Sequence, residues 1–540
     1  MLIFQHTGRT EGFQVKDKVR RQLARRKQRI MRRLDRRRLD NCSRPVMTAG
    51  NVVYEIAERA TGTACGGIGA IHAMVRELGL AEAIDERLHL LKLHLPYHES
   101  DHVLSLAYNS LCGGTCLEDL ELRRQDEAYL NLLGAERIPD PTTSGDFCRR
   151  FAPTDIDALQ DAYNHVRRTV WARQPQAFFD RATIDMDGTL VETGGECKQG
   201  MDIGYDGTWG FHSLVVSLAE TSEVLRIVNR SGNRPSHEGA AVEADRAIEL
   251  CLGSGFRSML LRGDTDFSQT THLDRWSANP RVQFIFGYDC HPNLHILADE
   301  LPAGAWKTLE RPARYAVKTR PRQRPENVKQ QIVDERGYVD KQLVSERVAE
   351  FEYQPTACKH SYRMVVLRKN LQVRDKQQRI FADYIYFFYI TNDRQSTPEQ
   401  IVFSANDRCN QENLHAQLKG GVRALTAPVD TLTSNGAYMA MTALAWNLKA
   451  WYALMLPEGK GPHAAARQEE KQSVRRMEFK TFVNHFIQLP CQVLRTGRRI
   501  VCRLLSWNRR LDVFFRWLDQ LKRPKPTAIS ASRRVAALRC

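Results

Sequence analysis

The sequence predicts an α/β protein, because strand-like and helical segments alternate through the middle of the chain. Residues 181–189 alternate between apolar and polar side chains, which is the pattern of a half-buried strand. Two further strand-like runs, at 211–218 and 223–228, are followed by a helix and by another strand at 256–261. A further buried strand is expected at 282–288. A helical region precedes this block, and an apolar, Ala-rich helix at 435–456 follows it. We therefore expect an α/β core flanked by helical regions.

The composition favours a polyanionic partner. The chain has 540 residues, of which 79 are Lys or Arg and 63 are Asp or Glu, so its net charge is +16. Nucleic acid is the commonest partner for such an excess, although membrane surfaces attract the same charge. The sequence shows no apolar run of bilayer-spanning length and no secretory signal, and its 13 cysteines include no CxxC pair. We therefore expect a cytoplasmic protein with reduced thiols and no membrane partner.

Residues 1–60 are predicted to form a basic N-terminal arm. Residues 16–38 contain 13 Lys or Arg, and Val19, Leu23 and Ile30 contribute to a narrow apolar stripe on a basic helix. Such a helix can lie along DNA phosphates. The alternative interpretation is a disordered basic tail, or a segment translated upstream of the working start.

Residues 61–176 are predicted to form a helical DNA-binding domain, because apolar side chains recur there at helical spacing. His94, His98 and His102 stand four residues apart, and Cys112 and Cys116 follow, which raises the alternative of a zinc site. A proline interrupts the helix that would align the histidines, and two glycines place the cysteines in a turn. A small helical domain without zinc is therefore the favoured interpretation.

Residues 177–289 are predicted to be the first part of the α/β core, and they carry acids at strand ends. Asp185 and Asp187 lie on one face of the first strand, and Asp264 and Asp266 follow the last strand of the block. Acidic clusters at strand ends of an α/β sheet are where metal and substrate sites lie. His212 on the second strand could approach these acids, although a hydrogen-bonded core histidine is favoured.

Residues 290–400 are predicted to be a mostly β insertion, and residues 461–540 a basic, helical tail that adds DNA contacts. Alternating strands are expected at 350–354, 362–369 and 380–390, after a polar stretch at 318–331. Trp306 in the insertion could stack on an unpaired base. A packing role is favoured, because aromatic side chains dominate protein cores.

Residues 401–460 are predicted to complete the core with a helix that carries charges on one face. Arg408, Glu412, His415 and Lys419 follow one another at steps of four, three and four. One carboxylate between cations suits a site that holds a metal and a phosphate together. The alternative is a solvated face with an ordinary i,i+4 Arg–Glu pair.

Asp187, Asp264 and Glu412 together suit two-metal phosphoryl transfer. That chemistry needs hard oxygen ligands that hold two Mg²⁺ ions about 3.5–4 Å apart. One ion activates the attacking water or 3′-hydroxyl, and the other stabilises the leaving oxygen. Asp185 and Asp266 are the rival ligands, since each is two residues from a proposed one. Asp187 is favoured over Asp185 because the ligand should lie at the open end of its strand.

Three motifs carry a resemblance to a known family: DMDGT at 185–189, LRGDTDF at 261–267, and Arg408, Glu412 and Lys419 at signature spacing. The chain resembles DDE transposases of bacterial insertion sequences, in the branch with a Y-x2-R-x3-E-x6-K signature. It is most similar to the insertion-sequence-1380 family, also at SGNRPSHEGA (231–240) and ALAWNLKAW (443–451). The resemblance covers about 66–456. Its one departure is Ala405, which occupies the position of the signature tyrosine.

The resemblance implies an RNase H-like core interrupted by the β insertion. It implies that Asp187, Asp264 and Glu412 bind two Mg²⁺ ions, which Mn²⁺ can replace, and that Arg408 and Lys419 hold DNA phosphate. The implied activity is nicking at terminal inverted repeats and joining of the 3′-hydroxyl to target DNA. Relatives commonly act as homodimers that bridge two transposon ends.

Two other functions use the same residues. The first is a Mg²⁺-dependent nuclease that cuts without rejoining, which only strand-transfer activity distinguishes from a transposase. The second is a non-catalytic DNA-binding remnant of a transposase. Intact acids at all three positions favour an active enzyme over the remnant.

Overall fold

The computed structural model describes residues 17–33, 53, 61–311, 328–336, 340–374, 380–459, 461–496 and 499–521. The rest of the predicted arm, most of the polar stretch 318–331 and the end of the tail lie outside the described residues. The chain divides into two compact units. The first comprises Met1–Phe147, His165–Arg173 and Leu444–Cys540, and the second comprises Cys148–Asn164 and Gln174–Ala443.

Helices and strands alternate along the chain, which confirms the predicted α/β class. The helices are α1 (Asp17–Arg33), α2 (Ile68–Leu78), α3 (Leu80–Asp85), α4 (Glu99–Leu111), α5 (Leu120–Arg124), α6 (Glu127–Leu133), α7 (Pro141–Arg149), α8 (Pro153–Trp171), α9 (Ala240–Gly253), α10 (Thr270–Ser277), α11 (Pro292–Asp299), α12 (Val328–Arg336), α13 (Pro398–Asn406), α14 (Cys409–Ala416), α15 (Leu432–Leu454), α16 (Ala464–Arg475), α17 (Phe479–Phe482) and α18 (Leu511–Leu521). The strands are β1 (Gly62–Thr63), β2 (Arg181–Glu192), β3 (Asp202–Ile203), β4 (Trp209–Leu218), β5 (Glu223–Val228), β6 (Ser258–Gly263), β7 (Val282–Tyr288), β8 (Lys307–Thr308), β9 (Asp340–Tyr353), β10 (Tyr362–Arg374), β11 (Ile380–Thr391), β12 (Cys491–Thr496) and β13 (Arg499–Leu504).

The second unit is built on a mixed sheet that has ten strands within the described residues. Its order is β3-β4-β2-β6-β7-β11-β10-β9-β8, and β5 pairs with β4. Strands β2, β6 and β7 are parallel neighbours, whereas β4 pairs antiparallel with β2. Parallel neighbours end at the same edge of a sheet, so acids that follow them are brought close together.

The predicted β insertion extends this sheet. Strand β11 pairs antiparallel with β7, from Phe388 opposite Tyr288 to Thr391 opposite Ile285. Strands β10 and β9 then continue the sheet outward. The three predicted strands are present, and β9 and β10 are longer than the sequence pattern indicated. The insertion therefore shares hydrogen bonds with the core sheet.

Helix α13 packs on the junction between the core strands and the insertion strands. Ile401 and Val402 of this helix join a buried apolar cluster with Leu260, Ile285 and Val365 of the sheet. Full burial of such a side chain contributes about 1.5–3 kcal/mol. This packing fixes the start of α14, the helix that carries the predicted charged face.

Trp306 packs in the insertion, and its side chain is buried. The Arg368 guanidinium lies 4.0 Å from the centre of its ring, and the Tyr386 ring lies 6.4 Å from it. The structure therefore supports the packing role of Trp306, because a ring that is already covered cannot stack on a base.

The first unit contains α2–α7 and a small antiparallel sheet in the order β1-β12-β13. The tail was expected to be helical, but β12 and β13 form a hairpin in it. Cys491 and Val493 alternate into a small apolar cluster, which explains a strand there. Trp517 of the tail is buried against Tyr452 at 4.2 Å between ring centres, so it packs in the core of this unit.

The histidines that raised the zinc alternative make other contacts. The rings of His94 and His98 stack at 4.4 Å, and His102 stacks on Phe147 at 4.2 Å. His94 also lies 3.2 Å from Glu99.

Among the residues that the structure describes, no helix is both long and apolar enough to cross a membrane.

Candidate active site

Asp185 forms a buried ion pair within the sheet. Its carboxylate accepts two hydrogen bonds from Arg262 on the neighbouring strand β6, at 2.7 and 2.8 Å. Arg262 also donates to the Ser404 carbonyl at 2.7 Å. Burial raises the pKa of Asp185, and Arg262 opposes that rise. Asp185 is thus engaged in holding β2, β6 and α13 together, which weakens it as a rival metal ligand.

Asp187 lies two residues further along β2, where the pairing with β6 has ended. Its carboxylate lines an open cavity of about 710 Å³. The Arg408 guanidinium makes one contact with it, at 3.2 Å. Burial raises the pKa of Asp187 to about 7, Arg408 lowers it, and the charges of Asp264 and Glu412 raise it further. The charges of the other two predicted acids therefore both act on Asp187.

Asp264 follows β6 directly and lines the same cavity. Its carboxylate caps a short turn by accepting a hydrogen bond from the Asp266 backbone at 3.1 Å. Burial raises the pKa of Asp264, Arg408 lowers it and Asp266 raises it. A Cβ at Gly287 of β7 would lie 2.8 Å from the Thr265 nitrogen, so glycine is needed for the turn to approach β7.

The predicted charged face lies along α14 and the π-helical turn Gln417–Gly421 that follows it. Arg408, at the N-cap of α14, contacts Asp187, and Lys419 lines the cavity. The His415 imidazole lies 3.9 Å from the Asp187 carboxylate, and burial with the charges of Lys419 and Arg408 lowers its pKa to about 4. Burial also lowers the pKa of Lys419, and Asp206 opposes this shift. The Glu412 side chain is exposed.

The donor chemistry of this site fits a divalent cation, since Asp187 and Asp264 offer hard carboxylate oxygens in one cavity. Burial raises the pKa of both carboxyl groups, and the charge of Asp264 raises that of Asp187 further, so a bound cation would stabilise their ionised forms. Within the described residues, however, no three His, Cys, Asp or Glu side chains form a group that could hold a metal ion. The structure thus gathers two of the three predicted ligands around the cavity.

The sequence profile of the family described as "Transposase DDE domain group 1" matches residues 58–526. The chain belongs to this DDE transposase family. Members of the family are DNA-cleaving and DNA-joining enzymes that generally use divalent metal ions. No curated protein matches the chain. Among solved structures, the chain is similar to the cryo-EM structure of a piggyBac transposase synaptic complex with hairpin DNA. The identity is 9%, 79% of this chain and 84% of that chain are covered, and the TM-score is 0.34.

Ala405, the position at which the sequence resemblance implies a tyrosine, lines a second cavity of about 400 Å³. Asp264 and Arg408 line this cavity too, together with Tyr389 of β11. Tyr389 and Ala405 both pack on the cluster beneath α13. Burial raises the pKa of Tyr389 to about 12, so its hydroxyl is protonated at neutral pH. A tyrosyl ring from the insertion therefore lies in the cavity that Ala405 leaves open.

His212 forms part of the wall of the larger cavity. Its Nδ1 donates to the Arg234 carbonyl at 2.7 Å, as expected of a hydrogen-bonded core histidine. A Cβ at Gly188, in the DMDGT motif, would lie 2.6 Å from the His212 Nε2, so the motif glycine makes room for this ring. Sequence reasoning missed the contribution of Arg234 to the cavity. The SGNRPSHEGA run was the available signal, since its first part forms this wall.

Proposed function

We propose that this DDE transposase cleaves the ends of its insertion sequence and joins the freed 3′-hydroxyl to target DNA. The observation that carries the proposal is the pair of strand-end carboxylates, Asp187 and Asp264, in one open cavity with cations from a single helix. Their placement agrees with the first two acids of the signature. The DMDGT and LRGDTDF motifs and the α14 spacing also support assignment to the insertion-sequence-1380 branch and an RNase H-like core.

Asp187, Asp264 and Glu412 would hold two Mg²⁺ ions, or Mn²⁺ in their place. Such ions supply activation of the attacking oxygen and stabilisation of the leaving oxygen. Glu412 lies one helical turn from Arg408 on the same face of α14, and its charge already acts on Asp187. Its spacing from Arg408, which contacts Asp187, supports Glu412 as the third acid.

Arg408 and Lys419 would hold DNA phosphate near the cut. Arg408 reaches Asp187 from the N-cap of α14, and Lys419 reaches the cavity from the turn after it. The two cations therefore lie on either side of Glu412 along α14 and the turn that follows it. His415 between them stays uncharged at neutral pH, since its pKa is about 4, so it adds no third positive charge.

The DNA partners would be the terminal inverted repeats and the target DNA, bound by a homodimer. The net charge of +16 supports a nucleic-acid partner. Helix α1 presents exposed arginines, and Arg26 on its other side donates to the Ser506 carbonyl at 3.2 Å. The helix is thus anchored within the first unit with basic side chains left for DNA phosphates.

The test is cleavage and strand transfer with Mg²⁺ on DNA that carries the parent element's ends. We expect joined products from the wild type, and DNA binding without cleavage from Asp187→Asn and Glu412→Gln. Glu249→Gln on α9 is the matched control, because it neutralises another exposed glutamate. Cutting without joining would favour the nuclease. If the wild type binds DNA but cuts it with neither Mg²⁺ nor Mn²⁺, the non-catalytic remnant is the function that fits.

A further inference from the structure

The hairpin that joins β3 to β4 exposes large apolar side chains beside the acids. Tyr205 is 91% exposed, Trp209 is 54% exposed and Ile203 is 46% exposed. Ile203 and Trp209 are directly opposite each other on the two antiparallel strands, so their side chains share one face. Exposed aromatic groups concentrated in seven residues indicate a contact surface rather than chance exposure.

The tip of this hairpin is held in shape by its own hydrogen bonds. The Gly204 nitrogen donates to the Thr208 carbonyl at 2.7 Å, and the Gly207 nitrogen donates to the Gly204 carbonyl at 3.0 Å. The Asp206 carboxylate accepts from the Thr208 nitrogen at 3.0 Å. The Tyr205 backbone is thus ordered in advance, which lowers the entropy cost of binding at its ring.

The hairpin forms one side of the cavity that holds the acids. Ile203 and Tyr205 line that cavity together with Asp187 and Asp264. Lys419 lines it as well, and so does Arg234. The cavity thus offers cations to a phosphate backbone and the Tyr205 ring to a base, and Trp209 lies opposite Ile203 at its border. Cations and aromatic rings together are what single strands require.

We propose that Tyr205 and Trp209 form a stacking platform for unpaired bases of the DNA strand held at the acids. This proposal rests on the proposed function, because it assumes that DNA occupies the cavity. A nucleobase suits the platform, since every base has a flat face that stacks on an aromatic ring. A protein partner would need about 800 Å² on each side, far more than three side chains supply.

The platform also differs from the candidate that the sequence offered. Trp306 is covered by Arg368 and Tyr386, whereas Tyr205 and Trp209 are open. Bases that leave the duplex near the cut would therefore meet the hairpin, and not the insertion tryptophan.

The experiment compares the full-length protein with Tyr205→Ala, Trp209→Ala and the double variant, all in the Glu412→Gln background so that no strand is cut. The probes are a single-stranded oligonucleotide, a duplex with a single-stranded end, and the same sequence fully paired. The single-stranded positions carry 5-iodouracil, which crosslinks to stacked aromatic side chains on irradiation. Tyr384→Ala, which removes a half-exposed tyrosine of β11, is the matched control.

We expect each platform substitution to weaken binding of the probes with unpaired bases by about five- to tenfold, as loss of one stacked ring does. Affinity for the fully paired duplex should stay unchanged, and mass spectrometry should locate the crosslinks at Tyr205 or Trp209. Thermal unfolding checks that both variants keep their fold, which their exposure favours. Unchanged affinity for unpaired probes, or crosslinks confined to other residues, would overturn the platform.

These outcomes separate the platform from the proposed function. Crosslinks at Tyr205 or Trp209 support the platform even if the wild type neither cuts nor joins DNA. Cleavage and joining by the wild type, with no platform crosslinks and no change in the variants, would retain the transposase and reject the platform.

Discussion

Two aspartates that lie two residues apart on strand β2 each form an ion pair with an arginine. The two pairs differ in the number of hydrogen bonds and in burial. Asp185 makes a bidentate pair with Arg262, and both side chains are almost fully buried. Asp187 makes one longer contact with Arg408 at the edge of an open cavity. A complete buried pair specifies how strands and helix pack, whereas an incomplete one leaves carboxylate oxygens for another ligand. The comparison separates a structural acid, Asp185, from the acid that we propose to be catalytic, Asp187.

The largest effect should come from breaking the complete pair. Arg262→Met should lower the free energy of unfolding by about 3–5 kcal/mol, because it leaves the buried Asp185 carboxylate without its partner. Chemical denaturation followed by circular dichroism measures the change. The double variant Arg262→Met with Asp185→Leu should recover part of the loss. No loss in the single variant would show that the pair does not hold the sheet.

Replacing Asp187, the acid proposed to be catalytic, should change activity strongly and stability little. Asp187→Asn should reduce DNA cleavage by at least about 10²-fold, the size expected for one preorganised electrostatic contact. Its unfolding temperature should stay close to that of the wild type, because the Asp187 carboxylate contacts Arg408 through a single longer ion pair and His415 beside it is uncharged. Quantitative cleavage assays and thermal scans measure the two effects. Full cleavage activity in Asp187→Asn would show that another acid holds the proposed catalytic role.

Lys449 in the first unit is a buried cation that contacts a carbonyl oxygen and an aromatic ring, whereas Asp185 and Asp187 contact arginines. Its ammonium donates to the Arg475 carbonyl at 3.0 Å and lies 3.9 Å from the Trp446 ring. Burial lowers the pKa of Lys449 to about 7. Between that value and the ordinary lysine pKa, the unfolded chain binds more protons, so this residue's contribution to stability rises with pH.

Lys449→Met should therefore unfold at a higher temperature than the wild type at pH 6.5, and the difference should shrink towards pH 9.5. A gain of several degrees is expected, since 1 kcal/mol corresponds to about 2–4 °C for a unit of 150–250 residues. Differential scanning fluorimetry at three pH values measures it. Lys480→Met removes an exposed lysine and serves as control. A difference that grows with pH would contradict the prediction.

The smallest effect on stability should come from breaking the incomplete pair. Arg408→Met should change the free energy of unfolding by less than about 1 kcal/mol, the range of partly exposed ion pairs. Asp187, whose pKa is about 7, can bind a proton when its partner is lost. The same variant should bind DNA ends more weakly and with a shallower salt dependence. Titrations at several salt concentrations measure this, and an unchanged slope would argue against a phosphate contact.

Local patterns predicted the elements well where one face of a strand or helix is buried. Strands β5 and β7 have the predicted bounds, because their apolar runs end at turn residues. The placement of Asp187 and Asp264 at one sheet edge also followed from alternation and strand order. Such features depend on neighbours in sequence, which periodicity reports.

Contacts between residues that are far apart in the sequence could not be predicted from local patterns. The partner of Asp185 comes from a strand 77 residues away, and the pairing of β11 with β7 crosses the whole insertion. The exposure of Glu412 depends on how α14 packs, which its spacing does not reveal. The Tyr389 ring beside Ala405 is another such case, since nothing near residue 405 in the sequence indicates it.

The pairing of β11 with β7 also means that the insertion is not a removable module. Without β11, the backbone donors and acceptors of β7 would lie open along a hydrophobic strand that carries Phe284 and Phe286. An uncovered strand of that kind is a template for pairing with other chains, and hence for aggregation. A shortened version of this protein would need a new cover for that edge, whatever it does to DNA.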